Sequence, residues 1–212
     1  MLSEAQISEF RETGVIVVES AYSTAALEPL RRQHQAWIDE SRQHDGPFGE
    51  MLDGRPRFDV EPGHCAASPE EISPDFLNLI ERGPMLEAVA DLLGDDLRFH
   101  HAKLNSKLPG SGTEQCERQA IEYLGPAGSL CLMHTRALHA SAENRTQRPR
   151  SLYIATLTAV DAMPLVPCAV PSVYAGRIVH GRDPGRIRSI AFTMENPEIP
   201  SGASFFDQQA GN

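Results

Sequence analysis

The residues of this chain best suited to chemistry are a histidine and an arginine, His139 and Arg150, which lie eleven positions apart. Turn-forming residues, among them Ser141 and Asn144, fill the stretch between them, and the apolar run after Arg150 predicts a strand. An imidazole binds transition metals, whereas a guanidinium stays charged and grips both oxygens of a carboxylate. If the turn joins neighbouring antiparallel strands, both side chains would point inward.

No other histidine completes a familiar metal motif. None of the eight histidines is followed two positions later by an aspartate or a glutamate. His134 precedes His139 by five positions, so the two would face opposite sides of a strand. His100 and His101 are adjacent and are expected to point apart for the same reason. The four cysteines are scattered without a C-x-x-C pair, which indicates reduced thiols rather than disulfides or zinc.

A second strand is predicted by the alternation of residue types from Asp96 to Lys107. Regular alternation places six residues on one face: Leu97, Phe99, His101, Lys103, Asn105 and Lys107. The other face is expected to carry His100, Ala102, Leu104 and Ser106. Asn105 and Lys107 would therefore point the same way at the end of this strand.

The composition is typical of a globular protein with a single domain, since the chain has 212 residues, of which 41 % are hydrophobic and 23 % charged. The net charge of -10 argues against nucleic acid and anionic membranes as partners. The first residues lack the features of a signal peptide, and no apolar stretch approaches the roughly 18 residues that a membrane span needs. We therefore expect a cytoplasmic protein without a membrane partner.

The positive charge is concentrated in one part of the chain. Between Arg136 and Arg188 there are eight arginines and only three acidic residues. An arginine-rich segment in an acidic protein suits a small anionic ligand, because guanidinium groups pair with carboxylate or phosphate. A solvated basic surface would have the same composition, so both interpretations stay open.

Local signals divide the rest of the chain into helices, strands and one long loop. Ser3 and Gln6 predict a capped helix over residues 3–12, which Gly14 ends. The other predicted elements are helices at 23–42 and 84–93 and strands at 15–18, 129–133, 150–158 and 189–194. Residues 44–75 are rich in Gly, Pro and Asp and are expected to form a loop with an edge strand near Arg57. By position, this loop and residues 163–188 are expected to form the lid and walls of a substrate site.

Three stretches together resemble the phytanoyl-CoA dioxygenase family of non-haem iron oxygenases. They are the N-terminal helix, strand and helix, the stretch from His100 to Gly110, and the stretch from Gly125 through His139 to Arg150. The last stretch is the most specific, because its spacing and its turn composition match together. The similarity covers most of the chain at family level.

The resemblance implies a mainly β fold with flanking α-helices, namely a cupin-like double-stranded β-helix, or jelly roll, in a single domain over residues 1–212. Residues 1–95 would form a helical N-terminal support. Residues 96–212 would supply the jelly-roll strands and an irregular C-terminal segment.

The resemblance also implies a reaction, in which oxidative decarboxylation of 2-oxoglutarate to succinate and CO2 is coupled to hydroxylation of a small molecule. The cofactors would be Fe(II), 2-oxoglutarate as cosubstrate, and O2. His139 would be a metal ligand, and Arg150 would bind the far carboxylate of 2-oxoglutarate. Lys107, Asn105 and Ser141 would add further contacts to the cosubstrate.

The sequence departs from the family between Gly110 and Gly125, where only fourteen residues intervene. Family members place jelly-roll strands and a His-x-Asp pair of iron ligands in this interval. Either the central strands have been lost, or a segment near residues 113–117 is missing from the sequence. We favour the second explanation, because lost central strands would expose sheet edges.

Two other functions stay open at this point. In the first, the chain is a catalytically inactive homologue that binds a small acid or another protein. In the second, it is a cupin-like metalloenzyme that does not use 2-oxoglutarate. The first alternative predicts neither iron binding nor succinate formation. The second predicts metal binding and a function that the change Arg150→Ala leaves unaltered. The oligomeric state is equally open.

Overall fold

The structure is a computed structural model, and it describes residues 1–52, 55–59, 65–107, 109–110, 121–139, 142–165, 172–189 and 193. The helices in these ranges are α1 (Glu4–Thr13), α2 (Thr24–Ser41), α3 (Pro74–Glu81) and α4 (Pro84–Leu93). The strands are β1 (Val15–Val18), β2 (Phe48–Leu52), β3 (Arg55–Asp59), β4 (Cys65–Ala67), β5 (Leu97–Lys107), β6 (Leu130–Met133), β7 (Arg150–Ala159) and β8 (Ile178–His180). A 3-10 turn lies at Pro69–Glu71.

The first two helices begin and end where the local sequence signals place them. Ser3 caps α1 and exchanges hydrogen bonds with Gln6 in a capping box. Gly14 ends the helix in the left-handed conformation, with a φ of 76°. Ser23 caps α2, because its side chain accepts a hydrogen bond from the backbone N–H of Ala26. The predictions of these two helices are confirmed.

The structure corrects the prediction of a long loop over residues 44–75, although the strand predicted near Arg57 is present as β3, which has a partner on both sides. This region instead holds β2, β3 and β4, followed by the 3-10 turn and the start of α3. Each of the three strands pairs antiparallel with the next, and β4 then pairs with β5. Strands of only three to five residues show little periodicity. β4 also depends on pairing with β5, which lies far from it in the sequence. Composition alone therefore predicted a loop where short strands form.

One antiparallel sheet dominates the fold. Its strand order is β2-β3-β4-β5-β7, and β8 pairs with the start of β5. The longest contact is between β5 and β7, which are paired over their whole length. Among the described residues, β1 and β6 form a separate two-stranded antiparallel sheet.

The fold is therefore mainly antiparallel β-sheet with flanking helices. The eight strands of the described ranges divide six and two between the sheets, so the double-stranded β-helix stays a prediction. Residues 1–95 contribute β1 to β4 as well as the helices. The strand predicted at 189–194 lies almost wholly outside the described residues. In the described part of the chain, no helix is long and apolar enough to cross a membrane.

A β-bulge in β5 changes which residues share a face. Phe99 lies opposite Leu157 and His101 lies opposite Thr156, so His100 is an extra residue on β5. The buried side of the strand carries Leu97, Phe99, Ala102, Leu104 and Ser106. The other side carries the half-buried residues His101, Lys103, Asn105 and Lys107. The predicted alternation is therefore wrong for the first residues of the strand, because one inserted residue reverses it.

The helices cover the buried side of the large sheet. Trp37 of α2 stacks on Phe76 of α3 with ring centroids 5.5 Å apart, and both belong to a cluster with Leu104. Ile80 of α3 packs in a second cluster with Phe99. Because the apolar side of β5 faces the helices, its polar side is turned the other way.

Two adjacent glutamates attach the segment before β8 to the 3-10 turn. The hydroxyl of Ser172 donates to Oε1 of Glu70 over 2.7 Å, and the backbone N–H of Val173 donates to Oε1 of Glu71 over 2.6 Å. Oε2 of Glu71 also pairs with the buried Arg57 at 2.6 Å. Glu70 is only 1 % exposed, and this burial raises its pKa, although the hydrogen bond from Ser172 opposes the shift.

Candidate functional site

Lys107 and Arg150 form a cross-strand pair at the ends of β5 and β7. Nζ of Lys107 donates to the carbonyl oxygen of Ala142 over 3.2 Å, and Nη2 of Arg150 donates to the same oxygen over 2.7 Å. Lys107 is half-buried, whereas Arg150 is exposed. The structure therefore brings together the two cations that the resemblance assigns to the cosubstrate.

The proximity of two positive charges has an electrostatic consequence. Burial lowers the pKa of Lys107, and the charge of Arg150 lowers it further. A carboxylate bound between the two side chains would relieve this repulsion and accept charge-assisted hydrogen bonds from both. The pair is therefore suited to an anion of carboxylate size.

Asn144 holds the turn that brings the two cations together. Its side chain is only 2 % exposed, and Nδ2 donates to the carbonyl oxygens of Lys107 and Arg148 over 2.9 and 2.8 Å. Oδ1 accepts hydrogen bonds from the backbone N–H and the hydroxyl of Thr146. One buried amide thus joins the end of β5 to the start of β7. Both of its polar atoms have hydrogen-bond partners within the protein.

The other two predicted cosubstrate contacts have different outcomes. Asn105 lies two residues before Lys107 on the same side of β5, opposite Leu152 on β7, and is half-buried. Its position next to Lys107 agrees with the sequence pattern, and its contact with a cosubstrate stays a prediction. Ser141 lies outside the described residues.

His139 does not lie on a strand that neighbours Arg150. It follows β6, is exposed, and has Nδ1 at 2.9 Å from the carbonyl oxygen of Ala137. β6 pairs with β1 in the small sheet, whereas β7 belongs to the large sheet. The expectation that neighbouring antiparallel strands present His139 and Arg150 is therefore wrong, because β6 takes β1 as its partner instead of β7.

The described side chains around His139 do not complete an iron site. Iron(II) in oxygenases of this type needs two histidines and one carboxylate on one face. Within the parts of the chain that the structure describes, no group of three or more His, Cys, Asp or Glu side chains could hold a metal ion. Of the implied groups, 2-oxoglutarate therefore fits the described residues through Lys107 and Arg150, whereas the described residues do not supply the three donors that iron needs.

His100 and His101 make a contact that strand alternation does not predict. Their Nδ1 atoms are 2.7 Å apart, and Nε2 of His101 lies 3.4 Å from Oγ1 of Thr156. Burial lowers the pKa of both imidazoles. The pKa of His101 falls to about 4, because the charges of His100 and Lys103 add to the effect of burial. Sequence reasoning missed this pair because no local signal marks the bulge that produces it.

Comparison with known proteins identifies the fold. No protein-family model matches the sequence, and no curated protein matches it. The structure is similar to SnoK, a non-haem α-ketoglutarate-dependent carbocyclase from nogalamycin biosynthesis, with a TM-score of 0.53 and 14 % identity over 76 % of this chain and 85 % of that one. It is also similar to the epimerase SnoN in complex with Fe3+, α-ketoglutarate and nogalamycin RO, with a TM-score of 0.53 and 12 % identity over 82 % of this chain and 94 % of that one. The chain therefore shares its fold with non-haem α-ketoglutarate-dependent enzymes.

Proposed function

We propose that this chain is an Fe(II)- and 2-oxoglutarate-dependent oxygenase that acts on a small molecule. In its specific form, the proposal is a hydroxylase of the phytanoyl-CoA dioxygenase type, which converts 2-oxoglutarate and O2 to succinate and CO2 as it oxidises its substrate. The fold shared with SnoK and SnoN supports the general kind of enzyme. The pair of Lys107 and Arg150 supports the cosubstrate.

The observation that carries the proposal is the convergence of Lys107 and Arg150 on the carbonyl oxygen of Ala142. 2-Oxoglutarate is a dianion, and its far carboxylate needs a fixed positive partner. The guanidinium supplies parallel donors for both oxygens, and the ammonium adds a compact charge. Because Asn144 keeps the two strand ends together, both cations are positioned before the ligand binds, which lowers the entropic cost of binding.

The metal part of the proposal rests on His139. Iron, with 2-oxoglutarate bound to it, would supply the oxygen activation of such an enzyme. We assign His139 as one iron ligand, and the remaining donors would have to come from outside the described part of the chain. Asn105 and Ser141 are assigned as further contacts to the cosubstrate.

The substrate is proposed to be a small molecule, and an anionic one would suit the arginine-rich segment. At least three of these arginines already have acidic partners, since Arg145 pairs with Glu143, Arg177 with Glu81 and Arg188 with Asp161. Residues 163–188 are proposed to form one wall of the substrate site. The proposed location of the protein is the cytoplasm.

A second function has a specific observation in its favour. The absence of a three-donor metal group from the described residues fits a homologue that binds 2-oxoglutarate or another small dicarboxylate without turning it over. Both functions predict 2-oxoglutarate binding, and only the oxygenase predicts succinate.

The proposal is tested by titrating the purified protein with 2-oxoglutarate in a calorimeter without oxygen, once with and once without Fe(II). We expect Fe(II) to strengthen the binding, because the metal would bind the keto-acid end of the molecule while Arg150 and Lys107 bind the other end. Binding that Fe(II) leaves unchanged would favour the binding protein over the enzyme. No binding under either condition would contradict both functions.

A further inference from the structure

We propose that His100 and His101 form a chelating site for a divalent transition-metal ion, distinct from the iron site proposed at His139. The two rings present their Nδ1 atoms to each other at a distance of 2.7 Å. Adjacent residues of a regular strand point to opposite faces, so this contact depends on the bulge at His100. Bulges frequently re-aim a side chain next to a functional site.

The two nitrogens are close to the spacing that a shared metal ion requires. An ion about 2.1 Å from each of two imidazole nitrogens, at a right angle, holds them about 3.0 Å apart. Since the two Nδ1 atoms are 2.7 Å apart, a separation larger by about 0.3 Å would admit the ion. Small rotations of the two rings would provide this change.

Without a metal, the same contact requires a proton between the rings. Two imidazole nitrogens 2.7 Å apart form a hydrogen bond only when one N–H donates to the lone pair of the other. A metal ion would take the place of that proton. The donating ring would then carry its proton on Nε2 instead of Nδ1, so the net protonation of the pair would not change.

Thr156 on β7 can accept a hydrogen bond from the metal-binding tautomer of His101. Its Oγ1 lies 3.4 Å from Nε2 of His101. When Nε2 carries the proton and donates to this hydroxyl, Nδ1 carries the lone pair that a metal needs. Metal-binding histidines almost always have such a partner on the second ring nitrogen.

The groups around the pair limit the kind of ion. Imidazole nitrogens suit Cu, Ni and Zn, whereas Mg and Ca require oxygen ligands. Lys103 lies two residues after His101 on the same side of β5. Its positive charge disfavours the binding of a metal cation to the pair. We therefore expect a site of moderate affinity that binds Cu(II) most tightly among the common divalent ions.

The site is too far from Lys107 to share one 2-oxoglutarate molecule with it. His101 and Lys107 are six positions apart on β5, which corresponds to about 20 Å at about 3.3 Å per residue. A five-carbon diacid is much shorter than this distance. The proposal therefore does not depend on the oxygenase activity.

The experiment is a Cu(II) titration of the untagged full chain, with the affinity measured by competition against a chelator of known strength. Electron paramagnetic resonance then counts the nitrogen ligands of the bound ion. We expect one ion with two imidazole nitrogens, both in the natural protein and in the control variant His139→Ala. The changes His100→Gln and His101→Gln should each weaken binding by more than about tenfold and leave one nitrogen, and Thr156→Val should weaken it by about tenfold.

A gain of affinity gives an independent readout that a folding defect cannot imitate. Removing the nearby positive charge with Lys103→Gln should strengthen Cu(II) binding, because the repulsion between two cations is lost. Thermal unfolding followed by circular dichroism establishes that each variant is folded. If His101→Gln fails to fold, His100→Gln and Lys103→Gln still test the site.

The proposal is wrong if the two-nitrogen copper signal persists in both His100→Gln and His101→Gln. It is also wrong if the signal disappears only in His139→Ala, or if Lys103→Gln leaves the affinity unchanged. A natural protein that binds no copper but still forms succinate would refute this site and leave the proposed oxygenase standing.

Discussion

Lys107 and Arg150 lie directly opposite each other at the ends of β5 and β7, and both donate hydrogen bonds to the carbonyl oxygen of Ala142. They are 43 positions apart in the sequence, so their contact depends on the register of the sheet and on the turn that Asn144 holds. Two neighbouring cations at the rim of a sheet are suited to the carboxylate of a small acid. The functional account rests on this pair.

Removing the guanidinium should weaken 2-oxoglutarate binding. We expect Arg150→Ala to raise the Kd by about 30-fold, which corresponds to about 2 kcal/mol and the low end of the range for a truncated charge pair. The low end applies because Arg150 is exposed. Calorimetric titration measures the change. Arg148→Ala is the matched control, since Arg148 is an exposed arginine of the same turn. Equal losses in both variants would mean that general surface charge, and no specific pair, attracts the ligand.

Asn144→Ala should destabilise the fold and loosen the cationic pair. The variant would leave the carbonyl oxygen of Lys107 without the donor from Asn144, whereas the carbonyl oxygen of Arg148 would keep the hydrogen bond from the hydroxyl of Thr146. Unsatisfied buried polar groups lower the free energy of unfolding by about 1–3 kcal/mol. Urea denaturation measures this loss, with the exposed Gln147→Ala as a control for the same turn. If Asn144→Ala were as stable as the control, Asn144 would not organise the turn.

A methyl group at Gly128 should destabilise the protein more than one at Gly176. Both glycines have a positive φ, 95° and 83°, so alanine is strained by about 1–2 kcal/mol at either position. At Gly128 a Cβ would also clash with the carbonyl oxygen of Tyr22, whereas at Gly176 nothing lies within 4 Å. Thermal unfolding of the two variants separates the clash from the shared backbone strain. Equal losses of stability would show that the close approach of Tyr22 and Gly128 is unimportant.

The buried carboxyl of Glu70 should make stability depend on pH. Burial raises the pKa of Glu70 above its ordinary value of 4.5, so the folded protein holds this proton more tightly than the unfolded chain. Stability therefore falls as the pH rises from the ordinary pKa to the raised one. Glu70→Gln cannot titrate, and its stability relative to the natural protein should increase between pH 4 and pH 7. Urea denaturation at a series of pH values, with the exposed Glu40→Gln as control, measures the difference. A difference that stays constant with pH would contradict the raised pKa.

Local signals in the sequence predicted the elements whose ends depend on neighbouring residues. The capping box of Ser3 and Gln6 and the terminating Gly14 gave α1 correctly, and the apolar run after Arg150 gave β7. The strands between residues 48 and 67 were not predictable in this way, because each is short and is stabilised by pairing with other strands. The bulge at His100 is also a property of strand pairing, since the extra residue exists only relative to β7.

The site could be predicted only in part for the same reason. The family resemblance assigns both Lys107 and Arg150 to the cosubstrate, whereas the pairing of β5 with β7 that brings them together is not specified by local signals. The position of His139 depends on which strand β6 takes as its partner, and the sequence around β6 does not specify β1. The contact of His100 with His101 depends on one inserted residue that regular alternation excludes.

The central claim is tested most directly by incubating the purified protein with 2-oxoglutarate, O2 and Fe(II), and measuring succinate by mass spectrometry. The account predicts succinate that requires Fe(II), falls strongly in Arg150→Ala, and disappears in His139→Ala. The oxygenase would be contradicted if 2-oxoglutarate binds to the protein and is recovered unchanged in the presence of Fe(II). The chain would then be a dicarboxylate-binding protein with the fold of an oxygenase.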